Sequence, residues 1–467
     1  LTSRFVTLSP LARRGAKAIA PQDNQLTFMD QASFLALRAR DQPQLVQWVW
    51  VYERALDFDG LERFHHNLGY GLLGRLIERS PLPFGRHRWV AAHHGPALDV
   101  SERARPRIEF SAWVDERARR PIDPEVGPGW GLAVAPFTDG SMAVSLVASH
   151  CLVDGLGCGL AIADAVNGVV NEFGYPAPRS RTRRRAMASD ARQTLQGIPE
   201  VASAIRAAAK LVRRQRQEFA RLGGPRPVAV PAAVDVGGGD DYVTVPAITI
   251  HIDQDDWDSR ARALGGTSNA LFTGFAAKLG ERMGRQCADD GTVRVIITAS
   301  DRKDGDTHAN ALSFTNIAVD PKQVTTDLAG VRGSIRQALK TLRETPDESL
   351  ELLPLTPLTP KRAVRRLGDV LFAFADRPVT CTNIGDIDPV VGYVDGTKAD
   401  YVFARGVDQK VTPQLVEQKF FLGSGRIGGK LFITVIAYHL DGKNSRANLA
   451  ALARETLAAF DLTATID

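Results

Sequence analysis

The chain has 467 residues, 44% hydrophobic and 24% charged, a soluble globular balance too long for one ordinary core and suited to two domains. Its formal net charge is only +5, and the basicity is confined to one segment, which argues against a nucleic-acid-binding protein. No apolar run reaches the roughly 18 residues of a membrane span, and the basic stretch 1–20 lacks the apolar centre of a signal peptide.

Taken in chain order, residues 45–52 (LVQWVWVY) read as a strand and 61–78 as a helix. A buried strand is expected at 142–149 and a helix at 156–170. The segment 179–226 then carries thirteen Arg and Lys residues against three acids. It opens with YPAPRSRTRRR, continues as an Ala-rich helical pattern over 186–222, and closes in Pro/Gly punctuation. This places an N-terminal domain at 1–178, a basic bridge at 179–241 and a C-terminal domain at 242–467. In the last, strands are expected at 242–252, 293–298 and 430–439. Helices are expected at 254–264, at 269–283 behind the capping pair Thr267 and Ser268, and at 448–460. Both halves mix strands and helices, so the class is α/β or α+β.

The stretch VSLVASHCLVDGLGCGLAIADAV (144–166) ends a strand on His150 and turns through Asp154 and Gly155 into a small-residue helix. Four chemistries could own it. A dinucleotide loop fails, because Gly155, Gly157 and Gly159 are followed by Leu160 where the third fingerprint glycine belongs. The better-spelled GSGRIGGK (423–430) runs into a strand where a phosphate-binding helix should start, so a glycine-rich turn explains it better. Cys151 beside His150 does not make a dyad, since neighbours on an extended chain point to opposite sides. A metal site needs three converging ligands, and the pairs His65–His66 and His93–His94 read as surface or packing histidines. The four cysteines show no CxxC pairing, which fits a reducing cytoplasm. The spacing His150, Asp154, Gly155 remains. A strand-end imidazole can accept a proton at neutral pH, with Asp154 holding the loop by an ion pair and Gly155 permitting the turn. The alternative is a structural histidine beside a helix-capping aspartate.

With its context, HCLVDG resembles the signature of the CoA-dependent acyltransferase superfamily, which includes chloramphenicol acetyltransferase, condensation domains, polyketide-associated acyltransferases and wax ester synthase/diacylglycerol acyltransferases. LTFMDQASFL (26–35), PIDPEVGPGWGLAVAPFTDGSMAVSLVASH (121–150), GGTSNALFTGFAAKL (265–279) and CTNIGDID (381–388) resemble further blocks of that family in the same order. The resemblance implies two similar chloramphenicol-acetyltransferase-like domains forming a V around a channel. It also implies direct acyl transfer from acyl-CoA or acyl-phosphopantetheine as co-substrate, without a permanently bound cofactor or metal. His150 maps onto the family's base, while Ser149 stands where that motif often has a first histidine. Asp154 maps onto its structural aspartate, which pairs with an arginine of the second domain, here Arg302 or alternatively Arg294. Ser313, Thr315, Asn316 and Asn383 become candidate oxyanion or channel donors. The implied acceptor is an alcohol or lipid, and the implied compartment is the cytoplasm. The basic bridge is either a solvated linker or a contact for a carrier protein or the inner membrane surface.

Overall fold

The computed structural model describes residues 24–92, 95–221, 242–287, 290–344, 350–360, 377–440 and 442–467. The N-terminal half contains α1 (Phe28–Arg40), β1 (Gln44–Tyr52), α2 (Phe58–Leu68), β2 (Arg75–Glu78), β3 (Arg88–Ala91), β4 (Asp99–Val100), α3 (Phe110–Ala118), β5 (Trp130–Pro136), β6 (Met142–Ser149) and α4 (Gly155–Val166). The basic bridge forms α5 (Arg183–Gln196) and α6 (Ile198–Arg221). Beyond it come β7 (Ala247–Asp253), α7 (Gln254–Ala263), α8 (Ser268–Arg282), β8 (Val293–Ser300), β9 (Leu312–Val319) and α9 (Ala329–Glu344). The chain closes with β10 (Val379–Asp386), β11 (Tyr401–Asp408), β12 (Phe420–Ile427), β13 (Lys430–Ala437), α10 (Arg446–Ala459) and β14 (Thr465–Ile466). The architecture is mixed α/β, built on two principal sheets.

A five-stranded sheet has the order β11-β1-β6-β5-β4, and a seven-stranded sheet the order β14-β7-β13-β12-β10-β8-β9. β1 is buried along nearly its whole length because it lies between β6 and β11 with both faces covered. Its buried Gln47 is satisfied: Nε2 donates to Val114 O and Ser145 Oγ, each at 2.9 Å, and Oε1 accepts from Arg405 Nε at 2.7 Å.

The division at residue 241 does not separate the sheets. β11, from the C-terminal half, pairs in register with β1 from Gln44↔Asp408 to Val51↔Tyr401 and completes the first sheet. The first core accordingly takes Val391, Val394, Val402 and Phe403 from beyond the bridge. Thr434 Oγ1 donates to Ala404 O at 3.1 Å and ties the second sheet to this crossing strand.

Three expected elements need correction. The helix expected over 61–78 stops at Leu68. Gly71 takes a left-handed φ of +63°, and a Cβ on Gly74 would lie 2.4 Å from Gly69 O, so the chain turns and 75–78 pairs with β3 instead. The long bridge helix is two helices, parted at Gly197 with Pro199 in the first turn of α6, where a missing N–H costs nothing. The strand expected from 242 starts at Ala247, after Pro246. GSGRIGGK is the β12–β13 hairpin, its turn made by Gly428 (φ +60°) and Gly429 (φ +82°), as a two-residue primed turn requires.

Two histidines are buried in this frame. His87 packs edge-on against Phe34, and His251 stands against Tyr401 and Phe403. Burial pushes both down to about 4. Arg79 adds to the effect on His87 while Glu125 and Asp190 oppose it; Lys430 adds to the effect on His251. The unfolded chain protonates near pH 6.5, so as pH falls it takes up protons before the folded state does. Stability is therefore expected to be full above about pH 6.5 and to decline towards pH 4. His251→Phe should flatten the decline; equal urea midpoints at pH 7 and pH 5 for the native protein would refute it.

Candidate active site

β6 delivers His150 at its C-terminal end, where the His150 N–H still donates to Gln44 O of β1 at 2.9 Å. The half-buried ring presents Nδ1 to Asn310 Oδ1 at 2.8 Å, and Asn310 Nδ2 donates to the His150 carbonyl at 3.1 Å. Asn310 belongs to the loop between β8 and β9, so the ring stands where the two sheets meet.

Asp154 combines two roles that the sequence offered as alternatives. As N-cap of α4 its Oδ1 accepts the Gly157 N–H at 2.7 Å. Its Oδ2 accepts from Arg302 Nη2 at 2.7 Å and from Ala311 N at 3.1 Å, with both partners of the ion pair buried. Arg302 also donates to the carbonyls of Asp306, His308 and Ala309. Arg294, the alternative partner, pairs with Asp290 at 3.0 Å. The motif loop is thus fastened to the loop 301–311 of the other half.

The glycine that this geometry needs is Gly157 rather than Gly155. Gly155 has no left-handed φ, and a Cβ there would meet only Ile384 Cδ1 at an ordinary 3.6 Å. A Cβ on Gly157 would press to 3.0 Å from Arg302 Nη2 and 3.1 Å from its Cζ.

The four candidate donors are not gathered at His150. The Ser313 hydroxyl donates to Asp301. β9 leads away from the loop at about 3.3 Å per residue, which carries Thr315 and Asn316 about 10 and 13 Å beyond Leu312. They also lie on opposite faces, Thr315 opposite the core residue Ile297 and Asn316 exposed. Asn383 is exposed at the end of β10, its Oδ1 accepting from Gly385 N at 2.9 Å. Sequence reasoning overlooked Asn310 and the buried Asp30, which accepts from Asn310 N at 2.9 Å and Ala309 N at 3.2 Å. Asp30 sits inside the quoted block LTFMDQASFL, and Asn310 six residues ahead of Asn316.

His65 bonds Pro96 O and His66 packs on Tyr70, while His93 and His94 lie outside the described residues. Among the described residues no group of His, Cys, Asp and Glu is placed to hold a metal, and no helix is long and apolar enough to cross a membrane. Burial pushes the Cys151 thiol up to about 12, far from a nucleophile at neutral pH.

No family model and no curated protein matches the sequence. Solved structures do. The first condensation domain of the CDA synthetase superposes with a TM-score of 0.56 at 15% identity, covering 95% of this chain and 99% of that one. Wax ester synthase/diacylglycerol acyltransferase from Marinobacter aquaeolei VT8 gives 0.54 at 14%, covering 94% and 98%. Polyketide synthase associated protein 5 from Mycobacterium tuberculosis gives 0.51 at 14%, covering 93% and 97%. The chain has the CoA-dependent acyltransferase fold.

On this acyltransferase fold Ser149 points away from His150, buried in the sheet, where its Oγ accepts the Cys151 N–H at 3.3 Å. Losing that bond is worth about 1 kcal/mol. Ser149→Ala is therefore expected to keep at least about a tenth of native turnover, measured as thiol release. An inactive variant together with an acyl adduct on Ser149 in the native protein would make the serine a nucleophile instead.

Proposed function

We propose that the protein is an acyltransferase that moves an acyl group from a CoA thioester to a hydroxyl acceptor, a lipid or long-chain alcohol, with His150 as general base. The observation that carries this reading is the presentation of His150: a half-buried imidazole between two sheets, its Nδ1 engaged by Asn310, on a loop fastened by Asp154 and Arg302. Nε2 takes the proton of the acceptor hydroxyl as its oxygen attacks the thioester carbon. The new C–O bond leaves an oxyanion, whose collapse breaks the C–S bond, and the departing thiolate recovers the proton from the imidazolium.

A second reading, donation from an acyl-phosphopantetheine on a carrier protein to a hydroxyl or amine, is favoured by the bridge. α5 and α6 expose Arg183, Arg184, Arg185, Arg192, Arg206 and Lys210 on one connector, a surface suited to an acidic carrier, CoA phosphates or an anionic membrane. Labelled acyl-CoAs and acyl-carrier proteins, each incubated with alcohols and amines, decide. Ester formation with stoichiometric free CoA supports the first reading, product from the carrier alone the second. No product from either donor refutes both.

A further inference from the structure

The hydrogen bonds at His150 determine which ring nitrogen carries the proton. Asn310 Nδ2 faces two oxygens, the His150 carbonyl at 3.1 Å and Asp30 Oδ1 at 3.5 Å. Both are acceptors, so turning the amide over would set its oxygen against oxygen. Oδ1 is therefore the atom facing Nδ1 at 2.8 Å. An amide oxygen can only accept, so Nδ1 must donate, and the tautomer follows from the partner. Nε2 keeps its lone pair.

Asn310 is itself held from both sides. Asp30, 0% exposed in the first turn of α1, accepts from the backbone N–H groups of Ala309 and Asn310. Asp154 N donates to Ala309 O at 2.8 Å, and Asp154 Oδ2 accepts from Ala311 N. Two buried carboxylates, one on α1 and one behind β6, thus clamp three consecutive residues of the opposite half.

We propose that Asn310 is the positioning residue that sets the tautomer and orientation of His150, and that Asp30 holds Asn310 in place. Docking of α1 on the loop 301–311 thereby makes Nε2 a proton acceptor.

The tautomer itself requires no substrate to observe; its kinetic consequence rests on the proposed transfer reaction. In the full chain labelled with 15N at histidine, long-range proton–nitrogen correlations at mildly alkaline pH distinguish Nδ1–H from Nε2–H, and His150→Ala assigns the signal. The native protein should show His150 as Nδ1–H. Asn310→Ala should shift it towards Nε2–H and lower kcat at least about tenfold with KM within about threefold. Asp30→Asn should shift the tautomer less. A native His150 found as Nε2–H, or an Asn310→Ala spectrum unchanged from native, overturns the proposal. If Asn310→Ala does not fold, the native spectrum decides alone. A locked Nδ1–H in a protein that transfers no acyl group would sustain this inference and remove the proposed function.

Discussion

Replacing His150 by alanine is expected to lower turnover by about two to four orders of magnitude, the range general-base catalysis supplies, while the unfolding transition stays close to native. The two effects separate because of how the residue is held. The backbone N–H to Gln44 and the carbonyl contact with Asn310 survive in the variant. The imidazole is half-buried and lies outside the hydrophobic cores, so its removal opens no large cavity. What disappears is the Nδ1 bond, worth about 1 kcal/mol, and the group proposed as the general base. Steady-state thiol release and a urea melt on the same preparation measure both. Turnover within about threefold of native, in a variant with an unchanged melt, would take His150 out of the reaction.

Elements with strong local patterns were legible. β1 is a run rich in valine and aromatic residues, β6 is a buried run of Met, Ala, Val and Leu interrupted by Ser145, and Thr267 caps α8 where its hydroxyl was expected to. The over-long helix at 61–78 shows what a 3.6-residue period cannot weigh: beyond Leu68, the left-handed Gly71 and the crowded Gly74 turn the chain whatever the apolar spacing there. β11 has ordinary strand character, and nothing local says that it joins the sheet begun at residue 44; that choice is made by packing against Trp48, Trp50 and Phe110. The site divides in the same way. His150 and Asp154 stand in one turn of sequence and announce themselves. Asp30 and Asn310 are 280 positions apart, and neither residue type in its own stretch signals a ligand for the other. Gly155 is the glycine spelled by the motif, but Gly157 is the one where a Cβ would press on a guanidinium from the other half of the chain.

Removing the Asp154 carboxylate should destabilise the protein by about 3–5 kcal/mol, the cost of breaking a buried ion pair from one side. Arg302 and Asp154 are 3% and 1% exposed, so water cannot replace the lost charge. The guanidinium would keep only carbonyl acceptors, and the N–H groups of Gly157 and Ala311 would lose theirs. Asp154→Asn should cost less, because its amide oxygen can still cap α4, but the arginine stays uncompensated. Arg302→Ala leaves the carboxylate with two N–H donors and should be milder again. The double variant Asp154→Leu, Arg302→Met is the discriminating case. An apolar pair of similar volume can replace a buried ion pair at little cost, so much of the lost stability should return. Activity should not, because Ala311 loses its carboxylate anchor and Asn310 beside it no longer holds the His150 ring in register. Urea denaturation of the four variants gives the stabilities, and thiol release gives the rates. A double variant that recovers both would make the pair a matter of folding alone. An Asp154→Ala variant within about 1 kcal/mol of native would mean that the pair is solvated and fastens nothing.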